Sequence, residues 1–351
     1  MNQAAFPFVQ ALRGDRAKAR TSRGFDAGRH GAAAPAAVRD AADPADALGF
    51  DHARYGLVPP AAVLWPGHPV REGWERGRLL VGRRTRPATL AVQRWLGLRL
   101  AAWSRGQPFD DHQITPQVLR SLEASARCPI TGLPLDDRSE VVTVDAGRGW
   151  VAGNLALVSP EVAATWRGID WPGARLALAR AEAEPGSVVD GYTLRGWRRI
   201  VSLKSLATPL PDREAAALPL AVLPPNRLRL LNPLQELQAV LTLELAVPGW
   251  GTRARTVAEA MPLGLRSAFN LFFNTLMAQA MRQGLGSDKE DVREALALAW
   301  EDPVVQRRWG RFARLVDAAL ARTLVDRLAQ AGLPGLHVVR HDDAAMCMVE
   351  A

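Results

Sequence analysis

Apolar side chains recur at helical spacing through most of the second half of the chain. Between residues 262 and 283 they stand three or four positions apart, as expected for the buried face of an amphipathic helix. Leu265, Phe269, Phe272 and Leu276 form this stripe. We therefore predict that this helix lies at the centre of a C-terminal helical bundle. The same spacing predicts helices over 233–246, 252–260, 262–283, 288–301 and 303–331.

The last of these segments, 303–331, is predicted to be one continuous helix with two unlike faces. Phe312, Leu315, Ala319 and Leu320 are assigned to its inward face. Basic residues of the same helix lie off that stripe. They are Arg307, Arg308, Arg311 and Arg314.

The middle of the chain combines short helices with a strand–turn–strand pattern. Pro87 and Pro116 suit the first turn of a helix, where the missing N–H costs nothing. From residue 128 to residue 168 the order is loop, strand, Gly-containing turn, strand and helix. A short strand or turn is predicted at residues 191–194. No helix is predicted from there to residue 206. The predicted helices are 88–105, 116–126 and 173–184.

Four segments lack a clear period. Residues 1–48 are poor in large apolar side chains, which predicts a poorly ordered basic arm. Residues 49–86 contain several Pro and Gly, which favours short strands and turns over helices. The prolines of 207–226 predict a linker or an extended crossing segment, and residues 336–351 are predicted to form a tail.

These elements together predict an α+β fold that is mostly α. An α+β region over 49–206 contains a small ββα module at 128–168. The Pro-rich linker separates this region from a helical domain over 227–335.

Composition narrows the class of protein. A hydrophobic fraction of 48% with 23% charged residues is typical of a soluble globular chain. The two cysteines, Cys128 and Cys347, fall in different predicted modules, so no disulfide framework is expected and a cytoplasmic location is predicted. The most apolar helical window, 263–281, carries Arg266, Asn270 and Asn274. It is therefore predicted to be a buried helix, and no membrane partner is expected.

The charge balance indicates an acidic partner. The formal net charge is +8, and such an excess favours binding to nucleic acid. The alternative is that the arginines reflect composition and occupy ordinary solvated faces, since only three of the 44 basic residues are lysines. The candidate nucleic-acid-binding residues are Arg76, Arg78, Arg83, Arg84, Arg148, Arg167, Arg307, Arg308, Arg311 and Arg314.

The central stretch carries a recognisable motif. It opens with CPITG at 128–132, continues with GWVAGNL at 149–155, and Ser159 then begins a helix. This pattern resembles the HNH (His-Me finger) nuclease motif over about 40 residues. The resemblance implies a ββα fold in which Asn154 ties the loop between the strands to the backbone. The residues to which it gives a structural role are Cys128, Gly132, Gly149, Trp150, Gly153 and Asn154.

The resemblance also implies where catalytic residues would stand, and other residue types stand there. The base of the first strand falls on Thr143 and the acid beside it on Val142. The ligand of the helix falls on Ala163 and its basic residue on Trp166. Because a threonine hydroxyl with no base behind it does not take up a proton at neutral pH, we predict no catalytic residue, no metal site and no cofactor. The alternatives for the acids Asp136, Asp137 and Asp145 are a magnesium site or solvated turn positions.

Three functions remain open on the sequence. The first is a non-catalytic nucleic-acid-binding protein on a degenerate HNH-like scaffold. The second is a structural or adaptor protein whose helical domain binds another protein. The third is a metal-dependent nuclease with an atypical site.

Overall fold

The computed structural model describes residues 43–246, 250–284 and 288–330. These residues form mostly helices and one two-stranded antiparallel sheet, which confirms the predicted α+β, mostly α fold. The strands are β1 Glu140–Thr143 and β2 Leu155–Val158. The helices are α1 Pro44–Arg54, α2 Pro69–Val81, α3 Leu90–Ser104, α4 Pro116–Leu122, α5 Pro160–Trp166, α6 Trp171–Ala183, α7 Leu194–Ala207, α8 Asp212–Ala217, α9 Pro233–Leu243, α10 Trp250–Ala260, α11 Leu263–Arg282, α12 Lys289–Ala299, α13 Pro303–Ala313 and α14 Ala318–Gln330.

Residues 49–86 are largely helical, so the prediction of strands here is wrong, whereas turns do occur between and after the helices. The segment holds the end of α1 and all of α2, which pack closely on each other. A Cβ atom at Gly49 would lie 1.9 Å from the Val70 carbonyl oxygen, and one at Gly73 would lie 1.9 Å from that of Asp46. These glycines therefore permit close approach of two helices, whereas the sequence alone presents them as breakers.

The predicted helix 303–331 is two helices. Helix α13 ends at Ala313, and α14 begins at Ala318 after Asp317, whose side chain accepts a hydrogen bond from the Leu320 backbone N–H at 2.7 Å. Because of this break, Leu315 is 54% exposed and Ala319 is exposed as well, so their predicted inward placement is wrong. Phe312 is fully buried, as predicted.

Two segments between the hairpin and the C-terminal helices differ from the prediction. Residues 194–207 form α7, whose first turn is capped by Thr193. Residues 207–226, predicted to be a linker or an extended crossing segment, contain α8 and a run of buried apolar residues at 220–223, so this segment packs into the core. Prolines there end helices without exposing the chain.

The hydrophobic core has two parts, and the sheet lies between them. Val142 and Val144 point to a large cluster that also contains the apolar faces of α7, α9, α11, α13 and α14. Val141 and Leu155 point to a smaller cluster built with α1, α3 and α4. Side chains at alternate positions of the strands therefore lie on opposite faces of the sheet, and each face packs against a different cluster. At the centre of the larger cluster are Phe269, Phe272, Phe273, Leu276, Trp300, Trp309 and Phe312.

Parts of two predicted terminal segments fall outside the described residues. Residues 44–48 of the predicted basic arm belong to α1, while 1–42 and the predicted tail 336–351 lie outside. Among the helices that are described, none is both long and apolar enough to cross a membrane.

Candidate functional site in the hairpin module

The module predicted at 128–168 contains a β-hairpin followed by a helix. Strands β1 and β2 pair antiparallel, with Glu140 opposite Val158 and Thr143 opposite Leu155. Helix α5 begins directly after β2, with Pro160 in its first turn. The predicted strand–turn–strand–helix order is confirmed.

Asn154 holds the loop between the strands. The side chain is fully buried, and its Oδ1 accepts a hydrogen bond from the Asp145 N–H at 2.9 Å. Its Nδ2 donates to the carbonyl oxygens of Asp145 at 2.7 Å and Gly149 at 2.8 Å. The prediction that this side chain binds nearby backbone is confirmed.

The other residues with predicted structural roles surround that loop. Gly149 and Gly153 have φ of 63° and 82°, a region that favours glycine. Trp150 fastens the loop to the segment after α3, because its Nε1 donates to Gln107 Oε1 at 3.1 Å and its ring stacks on Phe109. The hairpin therefore has a fixed loop conformation and a fixed neighbour.

Cys128 and Gly132 close the turn that enters the module. The Gly132 N–H donates to the Cys128 carbonyl oxygen at 2.9 Å. The Cys128 thiol is free and buried, and its Sγ accepts a hydrogen bond from the Ser159 N–H at 3.5 Å. Through this contact the turn is attached to the start of α5.

Thr143 and Trp166, two positions where the HNH resemblance would place reactive residues, contact each other. The Trp166 indole N–H donates to the Thr143 carbonyl oxygen at 2.8 Å, and Ala163 is fully buried in the core. Asp145 accepts from the Gly147 N–H at 2.9 Å as a turn cap. The Arg138 side chain, which bonds to Asp136, lowers the pKa of that carboxyl. Throughout the described ranges, no three His, Cys, Asp or Glu side chains are grouped closely enough to hold a metal ion.

A cleft of about 390 Å³ lies between α3 and the hairpin. Leu98 and Ala101 of α3 line one side, and the β1 residues Val141 to Thr143 line the other. Trp150 and Ile169 add apolar surface. The cationic residues that line the cleft are Arg94, Arg105, Arg167 and Lys204, and Glu140 is the acid.

The four cations of this cleft differ in their partners. Arg94 pairs with Glu123 at 2.7 Å and also donates to two carbonyl oxygens, so it is engaged in the fold. Arg167 pairs with Glu140 at 2.9 Å, but its side chain is 62% exposed, where such pairs contribute little. Arg105 is exposed and has no ion pair within the described part of the chain. Arg105 and Arg167 are therefore open to a ligand.

Lys204 is the buried cation of the cleft. Its Nζ donates to the Val144 carbonyl oxygen at 3.2 Å and lies 4.2 Å from the centroid of the Trp166 ring. Burial lowers the pKa of this amine to about 8, although Asp145 and Asp170 act in the opposite direction. The protonated form is therefore destabilised in the folded protein relative to the unfolded chain.

The lowered pKa of Lys204 predicts a rise of stability with pH. The unfolded chain binds this proton more tightly, so the folded state is penalised below about pH 8 and the penalty disappears as the pH rises toward 10.5. The gain over this window should be roughly 3 kcal/mol. Urea denaturation of wild type and Lys204→Met across the window will measure the difference, which isolates this group from other titrations. Lys204→Arg, which stays charged, should also lack this contribution; a rise as large as that of wild type in either variant would contradict the assignment.

The sequence-predicted arginines of α2 and the segment after it form one group. Arg76 pairs with Asp46, and the Arg78 guanidinium lies 4.9 Å from the centroid of the Trp74 ring. Arg83 and Arg84 are exposed beyond the helix end. Only these last two present their charge to solvent without a partner among the described residues.

The arginines of α13 form a second group on a different element. Helix α13 packs against α11 and α8, whereas α2 packs against α1. Arg307 and Arg311 of α13 and Arg314, its C-cap, are exposed on one side, and Arg308 is half-buried beside them. Across the described residues, none of the four forms an ion pair with an acid. This is a basic stripe whose charge is not neutralised locally.

The hairpin module holds the two remaining candidates, and they differ. Arg167 lines the cleft. Arg148 is half-buried and lies close to Arg229 and Asp145, and burial together with the Arg229 charge lowers its pKa. Its Nη1 is buried and has no hydrogen-bond partner within the described structure, so this guanidinium belongs to the packing of the loop.

Sequence reasoning did not assign Arg94, Arg105 or Lys204 to a site. The arginines could have been found, because they lie off the apolar stripe of α3. Lys204 lies outside the motif, and only its residue type was a signal: a lysine in a chain that otherwise uses arginine. Comparisons of the chain with family models, with curated proteins and with solved structures returned no significant match.

Proposed function

We propose that the protein binds nucleic acid through its phosphates and does not cut it, on a scaffold of the HNH-like type. The observation that carries the proposal is the basic stripe of α13. Exposed guanidiniums without acidic partners are free to neutralise phosphates and release their counterions.

The geometry of the stripe fits a phosphate backbone. Arg307 and Arg314 are seven positions apart, with Arg311 between them, and this separation is roughly 10 Å at the rise of an α-helix. A nucleic-acid strand places about three phosphates along that length. Contacts of this kind fix position but do not read sequence, so little base preference is expected.

The residues of the hairpin module support the proposal that the protein does not cut nucleic acid. A nuclease needs a general base or a metal-bound hydroxide at the scissile phosphate. At the corresponding positions Thr143 has its carbonyl bonded to Trp166, and Ala163 is in the core. The remaining exposed cations, Arg105 and Arg167, can add phosphate contacts but supply neither chemistry.

The salt dependence of binding tests the proposal. With about four to six phosphate contacts, raising salt from about 50 to about 200 mM should weaken binding on the order of a hundredfold or more. Fluorescence anisotropy with labelled single-stranded and duplex oligonucleotides of unrelated sequence will measure this slope. Absence of binding at physiological salt would contradict the proposal, and cleavage of the oligonucleotide in magnesium, manganese or zinc would favour the atypical nuclease.

One observation favours the adaptor function as the second candidate. Leu79 and Leu80 at the end of α2 are 86% and 72% exposed, and Val58 and Trp65 are also exposed. Adjacent apolar side chains left in solvent are typical of surfaces that contact another protein. Under this function the basic stripe is ordinary surface, and no binding to nucleic acid is expected.

A further inference from the structure

A buried lysine side chain, that of Lys204, lines the cleft between α3 and the hairpin, and its burial needs an explanation. Lys204 is 3% exposed, yet it lines a cleft of about 390 Å³, a volume in the range of small-molecule sites. Buried lysines are usually paired with a carboxylate. Across the residues that the structure describes, Lys204 forms no ion pair.

Only part of the hydrogen-bonding capacity of this amine is used by the fold. An ammonium group has three N–H donors, and one of them is directed to the Val144 carbonyl oxygen. The Trp166 ring covers a second side. Lys204 also lines the cleft, together with Thr143 and the apolar residues Val142 and Ile169.

This environment activates the amine. Burial lowers the pKa of Lys204 to about 8, so about a tenth of it is the free amine at neutral pH. The charged groups that face it are Asp145 and Asp170, which favour the protonated form. Their effect is smaller than that of burial, because desolvation is the largest cause of the shift.

We propose that Lys204 is a nucleophile that condenses with the aldehyde of a phosphate-bearing ligand held in this cleft. The nitrogen lone pair attacks the carbonyl carbon and forms a C–N bond. The carbonyl oxygen leaves as water with the two protons that the nitrogen gives up, and an imine remains. Neither an oxidant nor a reductant is needed, and the step goes beyond the binding proposed above.

The exposed arginines at the rim of the cleft favour a ligand that carries a phosphate. Arg105 is exposed without an ion pair in the described part of the chain, and a phosphate can displace Glu140 from the exposed Arg167. Two sources supply an aldehyde near a phosphate: the opened sugar of an abasic site in a DNA strand, and a free sugar phosphate. The chemistry at Lys204 is the same for both.

Reductive trapping tests the proposal, and the chain supplies its own controls. The full-length protein contains three lysines, Lys18, Lys204 and Lys289. The probes are glyceraldehyde 3-phosphate and a single-stranded oligonucleotide with one abasic site, each with cyanoborohydride, followed by peptide mass spectrometry. At about pH 7.5, Lys204 should be modified about tenfold faster than the other two lysines. The preference should vanish in urea-denatured protein, and glyceraldehyde without phosphate should react more slowly at Lys204.

The outcomes separate the two sources and the two proposals. Trapping of the oligonucleotide at Lys204 identifies the abasic site, and trapping of the sugar phosphate alone identifies the free source. Lys204→Met should lose the adduct at this position while the other lysines react as before. Modification of Lys204 no faster than Lys289 with both probes would overturn the inference, whether or not an intact oligonucleotide binds. If the wild-type protein does not bind an intact oligonucleotide but Lys204 still traps the sugar phosphate, only the proposed function is overturned.

Discussion

Replacing Asn154 with alanine is expected to destabilise the protein by roughly 3 to 5 kcal/mol. The side chain is fully buried and makes three hydrogen bonds to the backbone of the loop between β1 and β2. Its removal leaves the Asp145 N–H and the carbonyl oxygens of Asp145 and Gly149 without these partners, in a space that an alanine does not fill. Each buried group without a partner costs about 1 to 3 kcal/mol.

Chemical denaturation of wild type and variant will measure this loss. Asn226→Ala is the matched control: its amide donates a single 3.2 Å hydrogen bond to the Ser121 carbonyl oxygen and is only half-buried. It should cost no more than about 1.5 kcal/mol. Asn154→Asp should be no better than alanine at neutral pH, because a carboxylate accepts hydrogen bonds only and would face two carbonyl oxygens. Equal effects of the Asn154 and Asn226 substitutions would show that the loop does not depend on this amide.

The hairpin could be predicted from sequence because its signals are local. Gly149 and Gly153 supply the backbone conformation of the loop, and Asn154 satisfies its neighbours within ten positions. The two strands also follow from the sequence, because each is a short apolar run beside the Gly-containing turn. Which of the two hydrophobic clusters each face contacts depends on helices far along the chain, and no local pattern contains that information.

The errors of prediction share a physical cause, which is that the same residue has different effects next to different partners. Gly49 and Gly73 break an isolated helix, but they allow α1 and α2 to approach when the two helices pack. Leu315 matches the apolar period of one long helix, yet the cap at Asp317 starts a new helix and leaves Leu315 in solvent. Local pattern predicts the elements, whereas packing decides their ends and their faces.

In the candidate site, too, some features follow from the local sequence and others only from tertiary packing. The residue types at Thr143 and Ala163, where the HNH resemblance would place reactive groups, could be read from the motif alone. The cleft could not be predicted, because α3 and α7 bring Arg105 and Lys204 to the hairpin through tertiary packing. Lys204 lies more than thirty residues beyond the end of the motif, at residue 168, and meets it only because α7 packs against the module.

Neutralising the basic stripe of α13 is expected to give the largest change in binding. The quadruple change of Arg307, Arg308, Arg311 and Arg314 to glutamine should lower the slope of log K against log salt by up to about 3. At low salt the affinity for an oligonucleotide should fall on the order of a hundredfold. The helix should remain folded, because its packing depends on Val305, Trp309 and Phe312, which are buried.

The matched control removes the same charge from a different place. Arg71, Arg138, Arg175 and Arg180 each pair with an acid at 2.7 to 3.3 Å, and their change to glutamine also lowers the net charge by four. If phosphates bind the stripe, this control should keep nearly the wild-type slope, since these four arginines lie on other elements, outside the stripe. If both variants change the slope equally, net charge and not the stripe governs binding. If neither variant changes it, the arginines of α13 are solvated surface and the exposed Leu79 and Leu80 become the surface to test with protein partners.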